Sequence, residues 1–249
     1  VEIGGMWAIN YLRPNTTASI DDSTLTLKNS DDADLSVVAI LMPLMQSIAG
    51  YLSADGSSVM PKRDADGNRT SQSVGIGIAA VFSELGPDDR DKQELTQASI
   101  TNSTVEWDFD AEASALVYAY TGAWNDQDDQ LLKFLPRDPD NSEQVDPALE
   151  REWNNNDQHN LYSMALVGSI QGQSIPQGTN TNIELSGALV FTWSKIDTQA
   201  FVDNTSSEAT TSLTGGVEVS ILADTNLVFN ADARSEEHTS ELQSHSFIS

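Results

Sequence analysis

The side chains best suited to bind a ligand lie at 64–68. Asp64, Asp66 and Asn68 alternate around Gly67, and alternating oxygen donors at a glycine turn can wrap a hard cation such as calcium. The stretch lacks the third alternating carboxylate and the distal bidentate glutamate of a complete calcium loop. A solvated turn rich in Asp and Gly is the more ordinary explanation. Asp64, Asp66 and Asn68 are therefore the metal candidates of the chain, with calcium as the expected ion.

Catalytic groups are sparse. His159 lies in the very polar stretch 154–160, where a lone histidine is more often solvated than catalytic. Asp108 and Asp110 would point to the same side of a strand, as paired carboxylates for glycoside hydrolysis would. The chain carries 38 Asp and Glu, so close acidic pairs are unavoidable. It contains no nucleophile elbow, phosphate loop or helical zinc motif. We predict no catalytic residue and no enzyme.

An enzymatic alternative depends on long loops that could form a carbohydrate cleft, with Trp124 and Trp153 as stacking platforms. More often such tryptophans close apolar patches where a loop docks on its scaffold. A second acidic cluster has an even weaker case as a cation site than the first, and it comprises Asp126, Asp128 and Asp129. The alternative function is thus a secreted carbohydrate-active β-helix protein that binds or cleaves polysaccharide.

Charge and composition exclude several classes of partner. The 249 residues include 12 Lys and Arg against the 38 acids, a formal net charge of -26, which repels nucleic-acid phosphates and anionic headgroups. No apolar run approaches the ~18 residues of a membrane span. The chain has no Cys, so disulfides and thiolate chemistry are absent. We predict no nucleic-acid binding and no membrane insertion of this segment.

The chain is a degenerate repeat. Residues 18–25, ASIDDSTL, recur eighty positions later as residues 98–105, ASITNSTV. A weaker third copy begins at Ala200, and Gly187 precedes it by the same interval that separates Gly5 from Ala18. Self-similarity of this kind is the signature of repeat architectures.

Downstream of each copy, apolar residues alternate with polar ones, as in strands with one buried face. The alternating rows are Leu35, Val37 and Ala39; Val105, Trp107 and Phe109; and Val217, Val219 and Ile221. Helical spacings of three and four are absent from these segments. The pattern predicts three units, at 1–50, 74–122 and 183–233, within one domain at 1–233.

Long polar inserts at 51–73, 86–97 and 125–160 separate the strands of this pattern. Loops of such length are uncommon inside a compact core, so we expect them to leave one face of a repetitive scaffold. Asp146 followed by Pro147 favours a short helix at 146–151, with the acid as its cap.

The pattern predicts an all-β fold, because it combines short strands, small residues at strand starts and Asn, Asp or Ser at turns. The expected form is a parallel β-solenoid with long polar inserts, and the alternative is a β-sandwich. The unit G-x-x-A-x-N, T-x-A-x-I-x-x-S-x-L and L-x-V-x-A at 5–39 resembles the β-strand repeats of giant bacterial surface and secreted adhesins, including filamentous-haemagglutinin-like proteins. The resemblance covers most of 1–233 outside the inserts. It implies an exported, elongated stalk or passenger segment that stacks on neighbouring repeats of the same longer chain. Its partner would be a host or matrix surface, with carbohydrate as one candidate ligand.

Residues 234–249 have a different character. The stretch RSEEHTSELQS at 234–244 resembles one translated frame of a common short-read sequencing adapter. We therefore expect 234–249 to be a non-native tail, and the chain to be a fragment of a longer, environmentally sourced reading frame. The sequence thus predicts a non-catalytic repeat segment of a large exported bacterial surface protein, located outside the cell or on its surface.

Overall fold

The structure is a computed structural model of the whole chain. It describes residues 2–28, 34–54, 62–63, 69–86, 94–108, 113–124, 128–142, 144–149, 159–170, 180–205, 209–215 and 218–238. The protein is all-β, and the strands fall into three successive passes along the chain.

The strands of the first pass are β1 (Glu2–Leu12), β2 (Thr16–Asp21), β3 (Thr24–Lys28), β4 (Leu35–Leu41) and β5 (Met45–Ala54). A short strand β6 (Lys62–Arg63) precedes the second pass, which comprises β7 (Arg69–Leu85), β8 (Glu94–Thr101), β9 (Thr104–Asp108), β10 (Ser114–Gly122), helix α1 (Asp129–Phe134) and β11 (Leu161–Ile170). The third pass comprises β12 (Asn180–Ser194), β13 (Ile196–Asp203), β14 (Ser212–Thr214), β15 (Glu218–Asn226) and β16 (Phe229–His238).

Five three-stranded parallel arrays take one strand from each pass, always with the second-pass strand in the centre. They are sheet A (β1-β7-β12), sheet B (β2-β8-β13), sheet C (β3-β9-β14), sheet D (β4-β10-β15) and sheet E (β5-β11-β16). Among the described residues, antiparallel pairing is confined to β6 with β7 and to a bridge between Arg137 and Val145. The all-β prediction is confirmed, and the sheets are not the antiparallel sheets of a β-sandwich.

The strand register follows the sequence repeat. Ala18 pairs with Ala98, and Ala98 pairs with Ala200 on its other side. In sheet A, Gly5 and Gly187 both pair with Ile78. The residues that match in sequence therefore lie side by side, because parallel in-register strands bring equivalent positions of successive units together.

The core lies between facing sheets and is richest along the second pass. Sheets A and E enclose one cluster, with Ala79, Val81, Ala165 and Val167 at its centre. Sheets B and D enclose another around Ile100 and Val117, and sheets C and D a third around Val105 and Trp107. Alternation along each strand directs these side chains inward.

Burial falls off from the second pass to its neighbours. Val81 is fully buried, whereas its partners Ala8 and Val190 in the first and third passes are half-buried. A central strand is covered on both sides by bonded neighbours, while an outer strand is covered on one. The second pass is thus the most completely packed part of the protein.

Polar turns fix successive passes to one another. Asp22 and Asn102 both adopt the left-handed conformation, with φ of 47° and 50°, which Asn and Asp tolerate better than most residues. The Asn102 side-chain amide donates to Asp21 and Thr205 in the adjoining passes. A hydrogen bond from Thr101, together with those from Asn102 and the Asp22 backbone, lowers the pKa of Asp21.

A second cross-link is made by Asn160, which is fully buried. Its side-chain amide donates to the Pro43 carbonyl at 2.9 Å, and its side-chain oxygen accepts from the Val228 amide at 2.9 Å. One side chain therefore satisfies backbone groups of the passes on either side.

Strands extend into the segments that the sequence assigned to polar inserts. β5 runs to Ala54, β7 begins at Arg69 and β8 begins at Glu94. Strand β16 likewise continues to His238, paired with Ile170, within the stretch expected to be a non-native tail. Polar residues are frequent in these parts of the strands, so their sequence looks like that of a loop, which explains the difference in bounds. No helix among the described residues has the length and apolar character needed to cross a membrane.

Candidate functional site

The candidate site is the outer face of sheet A. Along β1, Trp7, Ile9 and Tyr11 point outward and are exposed, whereas Ala8 and Asn10 point inward. On the outer strand of the third pass, Leu189, Phe191 and Trp193 are exposed in the same alternation. A strand with one solvated face usually directs apolar residues to the core and polar residues to the solvent. Here small residues face the core, and large aromatic residues face outward.

Three of these rings form a stack across the sheet. The Trp7 and Phe82 ring centroids are 6.3 Å apart with planes 4° from parallel, and those of Phe82 and Phe191 are 5.8 Å apart at 7°. Both distances lie within the range of favourable offset stacking. Trp7 and Phe191 remain 63% and 59% exposed, so the stack is held in place while its two outer members stay accessible.

The rings border a shallow groove of about 460 Å³. Its large lining side chains are Trp7, Ile9, Tyr11, Phe82, Glu84, Phe191 and Trp193. Glu84 pairs with Tyr11 on one side and Trp193 on the other, so a carboxylate sits at one end of the aromatic surface. Beyond it, the Arg13 guanidinium lies 5.2 Å from the Tyr11 ring centroid, a cation–π contact.

A hydrogen-bonded hydroxyl network supports the face from below. The Asn10 amide donates to the Ser47 hydroxyl at 2.6 Å, the Ser83 hydroxyl donates to Ser47 at 2.8 Å, and the Ser163 hydroxyl donates to Ser83 at 2.7 Å. The three serines are buried. Satisfied buried networks rigidify their surroundings, so sheet A is fixed to sheet E directly beneath the exposed rings.

Close packing under the start of the face is set by glycine. The Tyr51 ring occupies the space that a side chain at Gly4 or Gly77 would need. Gly4 and Gly77 therefore allow the Tyr51 ring to pack closely against sheet A.

The outer face of sheet D provides the contrasting case, because a helix covers it. Leu131 of helix α1 and Leu135, the residue that follows the helix, pack against Tyr118 and Tyr120 of β10 and against Val38 and Ile40 of β4. The Asp128 carboxylate caps the helix by accepting from the Gln130 and Leu131 amides, each at 3.0 Å. It also accepts from the Tyr118 hydroxyl at 3.2 Å.

The covered tyrosines are electrostatically distinct as a result. Burial first, and then the nearby Asp128 carboxylate, raises the pKa of Tyr118 well above its ordinary value of 10.0. Burial also raises the pKa of Tyr120 to about 12, and its hydroxyl donates to the Ala123 carbonyl. Both phenols are held neutral as structural hydrogen-bond donors.

Most of the site residues predicted from the sequence lie outside the part of the chain that the structure describes. Asp64, Asp66 and Asn68, the calcium candidates, lie outside the described residues, as do Asp110, Asp126 and Trp153. Within the described part of the chain, no group of three or more His, Asp or Glu side chains is placed to hold a metal. Asp128 is a helix cap, and Asp129 belongs to the first turn of α1.

Two further candidates, His159 and Trp124, lie among the described residues. His159 is half-buried next to Tyr162, with ring centroids 6.4 Å apart, rather than fully solvated. Trp124 packs into the cluster between α1 and sheet D. Trp124 thus closes an apolar patch where an insert docks, which is the commoner of the two roles considered for it.

The aromatic face itself was missed in the sequence, although a signal for it existed. Aligning Gly5 with Gly187 also aligns Trp7, Ile9 and Tyr11 with Leu189, Phe191 and Trp193. Large apolar residues recur at the same positions of the unit, with small or polar residues between them. Which parity faces outward is decided by tertiary packing, so the alternation alone could not distinguish a core row from a surface row.

No family model, curated protein or solved structure matches this chain. Function is therefore inferred from the geometry of the sheet faces and from the repeat.

Proposed function

We propose that the five arrays are the walls of a parallel β-solenoid, and that the chain is a segment of a large exported bacterial surface protein that works as an adhesive stalk or scaffold. The observation that carries the proposal is the topology. The chain passes three times through the same five sheets in the same order, with parallel pairing between equivalent strands.

Such an arrangement suits a stalk because each pass contacts only its neighbours, so length can grow by adding passes. The half-buried inner side chains of the first and third passes leave apolar surface and strand edges on which further passes could stack. The hydroxyls of Thr192 and Ser194, on the outermost strand of sheet A, are buried yet have no hydrogen-bond partner among the described residues. A neighbouring unit could supply those partners.

Acidity supports an exposed, extracellular role. A surface with a net charge of -26 stays strongly hydrated and repels copies of itself. Charged side chains also discourage unwanted pairing of strand edges. The same charge suits saline surroundings, where solvated carboxylates preserve solubility.

The solenoid part of the proposal is tested by native-state hydrogen exchange of the full chain. Strands β7–β11 have bonded neighbours on both sides, so their amides should exchange at least tenfold more slowly than those of β12–β16. Equal protection in the two passes would contradict the stacked arrangement.

The adhesive part is tested by coupling the full chain to fluorescent beads and measuring their retention under flow on glass, on collagen and on polysaccharide films. Beads carrying an equally acidic protein of unrelated fold are the control, since they match the charge without the repeat. We expect retention on at least one film above that control. Equal loss of both kinds of bead from every film would exclude an adhesive role.

The alternative function, carbohydrate cleavage, would need two carboxylates flanking a bound sugar. Glu84 is the one carboxylate among the described residues that line the aromatic groove. The groove therefore favours binding over hydrolysis, and soluble sugar released from a polysaccharide film by the full chain would reverse that preference.

A further inference from the structure

The geometry points to the outer face of sheet A as a binding site for an extended, neutral polysaccharide. The site comprises Trp7, Tyr11, Phe82, Glu84, Phe191 and Trp193. It does not depend on whether the segment belongs to a stalk, because the residues that form it lie on one sheet within the chain.

The side chains that border the groove are mostly aromatic, which suits the binding of sugar rings. Of the six large apolar side chains bordering the groove, five are aromatic and one, Ile9, is aliphatic. Aromatic rings pack against the C–H faces of sugar rings, while tyrosine hydroxyls, indole N–H groups and a carboxylate meet sugar hydroxyls. The groove brings all of these chemical groups together on one surface.

The covered face of the same molecule shows what this chain uses when protein packs on protein. Around Tyr118 and Tyr120, most packing partners are leucine, isoleucine and valine, and the aromatic partners are Phe134 and Trp124. There the tyrosine hydroxyls are engaged, by Asp128 and by the Ala123 carbonyl. Sheet A instead presents aromatic rings with Tyr11 57% exposed, which is the composition of a surface for a partly polar ligand.

Charge selects among ligands for such a face. The chain carries a net charge of -26, yet Glu84 is the only charged side chain among the described residues lining the groove. A second copy of the chain or an anionic polymer would be repelled by the surrounding acids as it approached. A neutral polymer experiences no such repulsion, so charge favours it as the occupant.

Shape points to an extended polymer. Three parallel strands present the rings on one sheet surface, with about 4.8 Å between strands and about 6.7 Å between successive outward side chains. The Trp7–Phe82–Phe191 stack crosses the strands, and Tyr11, Glu84 and Trp193 form a second row beside it. A flat, ribbon-like β-linked glycan can lie along these rows, whereas a compact ligand would need a deeper cavity.

The test is depletion of the full chain from solution by microcrystalline cellulose and by chitin, with alginate beads as the anionic comparison. We expect saturable binding to at least one neutral polymer, changed less than twofold between 0.1 and 1 M sodium chloride because no ion pairs carry it. The double variant Trp7→Ala/Phe191→Ala should bind about tenfold more weakly, since two exposed rings are lost. Trp193→Phe, which keeps an aromatic ring, should retain most of the binding.

The matched control is Ile48→Ala/Leu222→Ala, which removes exposed apolar side chains from sheets E and D. It should bind like the parent chain, and melting curves of every variant establish that the fold is retained. Absence of binding to both neutral polymers, or equal weakening by the control, would overturn the proposal. So would sedimentation of the parent chain as a dimer that Trp7→Ala/Phe191→Ala converts to a monomer, because the face would then be an interface between copies. These outcomes leave the hydrogen-exchange test of the solenoid unaffected.

Discussion

The outer faces of sheets D and A both carry large apolar side chains, but in the described part of the chain only the face of sheet D is covered by a helix. Both are three-stranded parallel surfaces with large apolar side chains pointing away from the core, and parallel sheets are normally covered on both faces. On sheet D, the residues after β10 return as α1 and bury Tyr118 and Tyr120. On sheet A, Trp7 and Phe191 remain exposed. The same kind of surface is thus covered by a helix on sheet D and left exposed on sheet A, where we propose that a polysaccharide binds.

The largest difference in stability between the two faces is expected when one leucine on each is replaced by alanine. Leu131 of α1 is 0% exposed, whereas Leu189 of β12 is 46% exposed. Leu131→Ala should lower the free energy of unfolding by about 3 kcal/mol through lost burial and a cavity. Leu189→Ala should lower it by less than about 1 kcal/mol, since little burial is lost. Urea denaturation of both variants measures the difference.

Equal losses of unfolding free energy in the two leucine variants would contradict the assignment of one face as covered and the other as exposed. A large loss at Leu189 would mean that sheet A is covered in solution, and concentration-dependent unfolding would identify a second copy as its cover.

The next largest effect concerns one tyrosine hydroxyl on each face. Tyr118→Phe removes a donor to Asp128, the residue that caps α1, and should cost about 1 kcal/mol. Tyr11→Phe removes an exposed hydroxyl whose hydrogen bonds water can replace, so its cost should stay within about 0.5 kcal/mol. Thermal melts at neutral pH test both, and a larger loss at Tyr11 than at Tyr118 would contradict the assigned roles.

Alkaline pH should destabilise the covered face. The fold raises the pKa of Tyr118 and raises that of Tyr120 to about 12, so it favours the neutral phenols over the ionised ones. Their contribution to stability is therefore complete below the unfolded value of about 10 and is lost as pH rises through the folded values. The slope is at most about 1.4 kcal/mol per pH unit for each tyrosine.

Unfolding free energies measured from pH 8 to 11.5 should thus fall above pH 10 for the parent chain. The fall should be smaller for Tyr118→Phe/Tyr120→Phe, which has no phenol to ionise at those positions. Identical pH dependence in the two chains would show that other groups control alkaline unfolding.

The fold could be anticipated from sequence to a greater extent than the site. The match between residues 18–25 and 98–105 reflects side-by-side pairing, and pairing of equivalent positions is a consequence of parallel register that a repeat reveals directly. The cap at Asp146 was also foreseeable: its carboxylate accepts from the Ala148 amide at 2.8 Å, residues 147–149 are helical, and residues 150–158 lie outside the described part.

The aromatic face could not be assigned in the same way. Trp7 and Tyr11 alternate with small inward residues as a core row would, and only the packing of Ala8 and Asn10 against β5 and β7 reveals which side is inside. Helix α1 at 129–134 was likewise hidden, since its acidic start resembles a charged loop until Asp128 is seen as its cap. The local sequence pattern shows that side chains alternate along a strand. Which set of side chains faces the core depends on the tertiary packing.

The smallest expected effect concerns calcium at Asp64, Asp66 and Asn68, in the segment leading into β7, the central strand of the bare face. Because this set lacks two of the oxygen ligands of a complete loop, we expect calcium chloride and sodium chloride at matched ionic strength to change the melting temperature equally, within about 1 °C. Magnesium chloride at the same ionic strength controls for divalent charge alone. A calcium-specific rise of more than about 2 °C, abolished by Asp64→Asn/Asp66→Asn, would instead establish a cation site, because a ligand that binds only the folded state must stabilise it. Such a site would then stabilise the segment that precedes β7 in the sequence, as α1 stabilises the outer face of sheet D.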